Sequence, residues 1–185
     1  MSNKGNAPKA GLFGLWVELN KFGESRNMRI DNLYIHDVYG STVIEEGGGM
    51  GMCIQNGRDN DSISNRFVGM TIENCYIKDC QRDGIKFRGY WIRSQWNPNL
   101  KVVIRNNVLD GVPGDGIVPV GCDGALVEYN VMKNCPKALP ESEACDGIWP
   151  WCSDNTLVQF NVVSDHKSII DGYAYDSDWG CRNSV

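Results

Sequence analysis

Five stretches share one pattern: Ile30-Asp-Asn-Leu-Tyr-Ile-His-Asp, Ile72-Glu-Asn-Cys-Tyr-Ile-Lys-Asp, Ile104-Arg-Asn-Asn-Val-Leu-Asp-Gly, Val127-Glu-Tyr-Asn-Val-Met-Lys-Asn and Val158-Gln-Phe-Asn-Val-Val-Ser-Asp. They recur at steps of 23 to 42 residues, a spacing that signals stacked repeat units. A constant motif at variable spacing means constant strands joined by loops of different length. The longest step contains Glu45-Glu-Gly-Gly-Gly-Met, which reads as an insertion with a flexible glycine turn. A second column follows the first: Gly84-Ile-Lys-Phe, Gly116-Ile-Val-Pro, Gly147-Ile-Trp-Pro and Gly172-Tyr-Ala-Tyr, with Gly51-Met-Cys-Ile as a weaker member. These segments are too short for helices and rich in β-branched and aromatic residues. Short strands without helical spacers do not make a βαβ sheet. They fit coils stacked strand on strand about 4.8 Å apart, and the absence of two-residue hairpin turns agrees with parallel pairing. The predicted fold is therefore all-β, a right-handed single-stranded parallel β-helix, or solenoid.

Asn107, Asn130 and Asn161 share one register, while Asn32 and Asn74 sit one place earlier, beside Asn106. Asn tolerates left-handed backbone and bonds local backbone groups, which suits a sharp corner, and stacked Asn side chains can bond one another. Residues 1–27 are expected to form an N-terminal segment or cap, with Leu12-Phe-Gly-Leu-Trp-Val pairing with or covering the first coil. Residues 28–185 hold the repeats. Cys181-Arg-Asn-Ser-Val aligns with Cys122-Asp-Gly-Ala-Leu and Ser153-Asp-Asn-Thr-Leu, so Val185 opens another first-column strand. A solenoid cut there exposes a strand edge that invites end-to-end self-association, and C-terminal truncation of a longer protein is expected.

The net charge of −5 and pI near 5.0 argue against nucleic acid, which needs clustered Lys and Arg. No apolar run is long enough to span a bilayer. Met1-Ser-Asn-Lys is followed by no apolar segment, so no signal peptide is expected in this chain. The eight cysteines form no C-x-x-C pair. Cys75 and Cys80 fall on repeat positions and read as buried thiols, and a Cys135–Cys145 disulfide is an open alternative for the loop between them.

Three constellations carry chemistry. In the first, Asp83, Asp115, Asp146 and Asp171 each precede a column glycine. If the coils stack, these carboxylates crowd one another, so one pKa rises or a cation settles between them. A raised carboxyl is what a general acid in glycoside hydrolysis requires, although Asp-Gly is also an ordinary corner dipeptide. In the second, alternation places Lys86, Val118, Trp149 and Ala174 outward, and two residues later Arg88, Val120, Trp151 and Asp176. Two exposed tryptophans beside carboxylates suit stacking on sugar rings. The competing reading packs them under a loop. In the third, Asp171, Asp176 and Asp178 lie within eight residues beside Trp179, as acid–base groups, as oxygen ligands for calcium, or as solvated loop acids. Arg82, Lys86, Arg88 and Arg93 form a basic group. In a lyase, a Lys or Arg of depressed pKa there would take a proton from a uronic acid. His36 and His166 read as corner residues.

The runs Gly114-Asp-Gly-Ile, Gly121-Cys-Asp-Gly-Ala-Leu-Val-Glu-Tyr-Asn, Asp146-Gly-Ile-Trp-Pro-Trp, Asp154-Asn-Thr-Leu-Val-Gln-Phe-Asn and Asp171-Gly-Tyr-Ala-Tyr-Asp-Ser-Asp-Trp resemble bacterial right-handed parallel β-helix repeat proteins over residues 28–185. The resemblance implies the fold, polysaccharide chemistry and a parent protein that is secreted, periplasmic or on the cell surface. The adjacent Asp-Asp pair and Gly-His-Gly motif of polygalacturonases are absent. The expectation is thus a glycoside hydrolase acting on a polysaccharide or oligosaccharide. Asp146, Asp171, Asp176 and Asp178 are its acid–base candidates. Trp149, Trp151, Trp179, Lys86, Arg88 and Asp115 are its substrate contacts. The alternatives are a calcium-dependent lyase using Arg82, Lys86 or Arg88, and a non-catalytic glycan-binding or structural fragment.

Overall fold

The computed structural model describes residues 1–2, 10–57 and 61–185. The described chain is all-β and its strands follow one another in rotation. A first rung comprises β1 (Phe13–Glu18), β2 (Glu24–Arg26), β3 (Arg29–Asp31) and β4 (Tyr34–Val38). A second comprises β5 (Met50–Gln55), β6 (Arg66–Val68), β7 (Thr71–Glu73) and β8 (Tyr76–Cys80). The third holds β9 (Ile85–Arg88), β10 (Asn99–Leu100), β11 (Val103–Arg105) and β12 (Val108–Asp110). The fourth holds β13 (Ile117–Val118), β14 (Cys122–Asp123), β15 (Leu126–Glu128) and β16 (Val131–Lys133). In the fifth, β17 (Ala144–Cys145), β18 (Leu157–Gln159) and β19 (Val162–Val163) are followed by β20 (Ile170–Asp171).

Among the described residues every strand pairing is parallel and joins a strand to its counterpart one rung on, giving sheets β1-β5-β9-β13, β2-β6-β10-β14, β3-β7-β11-β15-β18 and β4-β8-β12-β16-β19 and a two-stranded β17-β20. The arrangement is consistent with a parallel β-helix. Bridges Ile117↔Ile148 and Ile148↔Tyr175 carry the first sheet through two further rungs. Phe13–Glu18 pairs with β5, so pairing begins ahead of residue 28.

The five aligned stretches stack as read: Ile30, Ile72, Ile104, Val127 and Val158 are partners in turn. Each stretch is two strands rather than one. The break falls on a residue of left-handed backbone: Asn32, Asn74, Asn106, Tyr129 and Phe160, with φ of 54–57°. Asn suits that conformation, whereas the two aromatic residues hold it while stacking on each other at 5.1 Å. One residue later runs an asparagine ladder. Asn107 Nδ2 donates to Asn130 Oδ1 at 2.9 Å, and Asn130 Nδ2 to Asn161 Oδ1 at 2.9 Å. The same oxygens accept the backbone N–H groups of Asn107 and Asn130.

The interior is a narrow apolar column. Ile35, Ile77, Leu109 and Met132 stack from the fourth sheet against Met52, Ile85, Ile117 and Ile148 from the first, all fully buried or nearly so. Each such side chain contributes roughly 1.5–3 kcal/mol by leaving water. Cys75 and Cys80 lie in this core as expected. Cys135 and Cys145 are both free, buried thiols, so the disulfide alternative does not hold in this structure.

The column glycines are required for space. A Cβ on Gly84 would stand 2.2 Å from Leu109 Cδ2 and 2.5 Å from the Gly116 oxygen, and one on Gly116 would stand 2.5 Å from the Gly147 oxygen. Gly51 is a full member of this column, and Gly14, in β1, extends it by one rung. Each position faces inward and abuts the next rung's backbone, so the residue before it is free to point out of the core.

Candidate active site

The outer face of the first sheet carries three columns set by this register. The first is Phe13, Met50, Asp83, Asp115 and Asp146. The second is Trp16, Cys53, Lys86, Val118 and Trp149, and the third is Glu18, Gln55, Arg88, Val120 and Trp151. The sixth rung departs from the sequence alignment. Tyr175, not Tyr173, pairs with Ile148, and the Gly147 N–H donates to Tyr173 O at 2.8 Å. Asp171 (φ 62°) and Gly172 (φ 76°) are left-handed, and the chain shifts by two residues there.

Two expectations are corrected by this shift. The aspartate ladder does not include Asp171. Asp115 N–H donates to Asp83 Oδ1 at 3.1 Å, Asp146 N–H to Asp115 Oδ1 at 3.0 Å, and the next donor to Asp146 Oδ1 is the Tyr173 N–H at 2.7 Å. Asp176 follows Trp149 in register, where Ala174 was expected. Asp178, whose N–H donates to Pro150 O at 3.2 Å, takes the place beside Trp151 that was expected of Asp176.

The three columns floor one cleft of about 1010 Å³. Asp115, Asp146, Asp171, Asp178, Lys86, Arg88, Trp149 and Trp151 all line it, while Asp176 and Trp179 stand outside the lining. Two loops wall it. Glu143 Oε2 accepts from Arg82 Nη1 at 3.0 Å and from the Ile44 N–H at 3.1 Å, tying the loop before β17 to the insertion at residues 44–49. That insertion is packed rather than loose: a Cβ on Gly49 would meet Ser41 O at 2.5 Å. The opposite wall carries Trp91. It is placed by Arg93, which grips Asp154 through both nitrogens (2.7 and 3.2 Å), and by Cys152 Sγ donating to Trp91 O at 2.7 Å. Trp91 stacks on Trp151 at 5.6 Å and meets Trp179 edge-on at 6.0 Å. Its position depends on partners about 61 residues away, which no local motif announces.

A buried charge network underlies the cleft. The Lys86 ammonium settles between Asp115 Oδ2 (2.6 Å) and Asp83 Oδ2 (3.4 Å), the cation that crowded carboxylates require. Burial pulls its pKa down, but the charges of Asp115 and Asp83 more than offset this and hold it above the usual lysine value. A lysine so held is an acid-paired cation, contrary to the depressed base a lyase would need. Burial raises the Asp83 carboxyl, with Lys86 acting against it. Trp149 is almost wholly buried, not exposed, and donates Nε1–H to Asp115 Oδ1 at 3.0 Å.

Asp146 ends the ladder. Burial pushes its pKa up to about 6, the Tyr173 N–H works against this, and the charges of Asp171, Asp176 and Asp115 add to it. It is thus a carboxyl that keeps its proton well above the ordinary range, in the lining of the cleft though itself largely buried. Cys145, next in the chain, has its thiol raised by burial to about 11. Among the described residues no group of three or more His, Cys, Asp or Glu side chains converges to hold a metal ion, so Asp171, Asp176 and Asp178 do not form the calcium cluster their spacing suggested. No described helix is long and apolar enough to cross a membrane.

No family model matches the chain. Among curated proteins, a lacto-N-biosidase of Bifidobacterium longum subsp. longum is 28% identical, the alignment covering 83% of this chain and 12% of that protein. Among solved structures, the native GH136 lacto-N-biosidase of Eubacterium ramulus matches with a TM-score of 0.75 at 20% identity, over 93% of this chain and 32% of that one. Its selenomethionine derivative matches at 0.66 and 21%, over 92% and 33%. The structural likeness shows a shared fold, and the chain spans a third or less of the length of these relatives.

Proposed function

We propose that this chain is the cleft-bearing part of a right-handed parallel β-helix glycoside hydrolase that cleaves an oligosaccharide, with lacto-N-biosides as its substrate class. The observation that carries the reading is Asp146. Its raised carboxyl lines a cleft with Asp171 and Asp178, over tryptophan rings. Glycoside hydrolysis needs one carboxyl that gives a proton to the departing oxygen and a second that attacks the anomeric carbon or activates water. Asp146 holds its proton near pH 6 and is the donor. Asp171, whose charge helps keep that proton in place, and Asp178, beside Trp151, supply the opposing carboxylate face. Trp151, with Trp91 stacked against it, offers aromatic surface to the apolar faces of sugar rings, and the buried Trp149 holds Asp115 in the floor beneath. The similarity to lacto-N-biosidases supports the substrate class.

The test is hydrolysis of a chromogenic lacto-N-bioside by the purified protein, with Asp146→Asn, Asp171→Asn and Asp178→Asn alongside. Loss of turnover by about a hundredfold or more in folded variants is expected. Full activity in all three would refute the assignment.

A further inference from the structure

The cleft is longer than its acidic end. Residues lining it come from every rung of the first sheet: Phe13 and Trp16 in β1, Gln55 in β5, Arg88 in β9, Val120 after β13, Trp151 in the fifth rung and Asp178 in the sixth. Five strand spacings of about 4.8 Å separate the first rung from the sixth, so the cleft runs about 24 Å along the stack. A pyranose unit advances by about one such spacing, so a disaccharide fills less than half of it. The three carboxyl groups sit at the fifth and sixth rungs. At the far end, Phe13 and Trp16 meet edge-on at 4.6 Å, and Trp16 Nε1–H is turned to Glu18 Oε2 at 3.3 Å, which fixes the indole plane. Between the two ends, exposed Arg88 carries N–H donors suited to hydroxyl groups, and Gln55, aligned with it in one column, is a buried amide that already donates to Gly57 O.

Resting on the glycosidase reading, we infer that the cleft is a multi-site channel for a neutral oligosaccharide of four or more sugars. The bond that breaks lies over Asp146, Asp171 and Asp178. Sugars remote from it lie along Arg88 and end on Trp16, a specificity-determining platform. Length of chain, and not only the terminal disaccharide, then governs affinity.

Calorimetric binding to folded Asp178→Asn protein tests this with oligosaccharides of two, four and six sugars that end in a lacto-N-biosyl unit. Affinity is expected to rise at least tenfold from two to four sugars. Adding Trp16→Ala should remove about tenfold from the longer ligands while changing the disaccharide less than twofold. Arg88→Ala, on an exposed side chain, should give the same length-dependent pattern if Trp16→Ala fails to fold. Equal affinity at all lengths, or an equal loss at all lengths in the variants, overturns the extended channel and leaves the glycosidase reading standing. No binding at any length, with no hydrolysis by the unmodified protein, overturns both.

Discussion

Replacing Lys86 by methionine removes the cation on which two buried carboxylates depend. Nζ is 2.6 Å from Asp115 and 3.4 Å from Asp83, and neither acid has appreciable exposure. After the change Asp115 keeps the N–H groups of Trp149 and Asp146 on Oδ1, but its Oδ2 loses its donor. Asp83 keeps only the Asp115 N–H and a 3.5 Å approach from Arg82. Breaking one side of a buried ion pair costs about 3–5 kcal/mol, and the surviving donors place this case near 3, a fall of roughly 6–12 °C in Tm for a chain of this size. The pH dependence has a definite sign. In the native protein the Lys86 pKa is raised, so its contribution is present at neutral pH and is lost only as pH climbs through the folded lysine value. Without Lys86, the Asp83 carboxyl, already raised by burial, is pushed further up. The folded state then binds protons more tightly than the unfolded chain, so the variant regains stability as pH falls from 7 to 5. Thermal melts at both values read this directly. A Lys86→Met Tm within 2 °C of the parent at pH 7, or a variant more stable at pH 7 than at pH 5, would refute the network.

Three further outcomes follow from the same geometry. Gly116→Ala forces a Cβ to within 2.5 Å of the Gly147 oxygen and 2.4 Å of Met132 Sδ. Backbone cannot yield there, so roughly 3 kcal/mol or more of stability should be lost, measured by urea unfolding. Asn130→Ala removes donors to Ile104 O and Asn161 and the acceptor for Asn107. It should cost about 3 kcal/mol in the same assay, far more than the same change at exposed Asn74. Because the Asp146 carboxyl stands at about 6, the activity attributed to it should fall as pH rises through that value. Asp146→Asn should abolish this limb of the pH–rate profile along with most of the rate.

The fold was legible because its signal is repeated. Ile30, Ile72, Ile104, Val127 and Val158 occupy one inward position, and a one-residue slip would turn each of them outward. The column glycines were equally plain, although their cause, a carbonyl oxygen in the next rung, is visible only once the rungs are stacked. The sixth rung misled for a physical reason. Gly172-Tyr173 imitates Gly147-Ile148, but Gly172 is used as a left-handed turn and Ala174 takes the column register beside Gly147. The carboxylates of that rung were therefore placed two residues out of register. Trp91 was missed because a long-range ion pair and a thiol contact hold its loop, and neither has a local spelling. Lys86 was read as a substrate contact, or as a base in the lyase alternative, because sequence shows a lysine among charges but not that two acids enclose it.

The most direct test of the central claim is release of lacto-N-biose from a chromogenic lacto-N-bioside, compared between this protein and its Asp171→Asn and Asp178→Asn variants at equal folded concentration. The account predicts measurable turnover by the parent and a loss of about a hundredfold or more in each variant with unchanged Tm. Turnover that persists in both folded variants, or none from a well-folded parent that also binds no lacto-N-biosyl oligosaccharide, would contradict it.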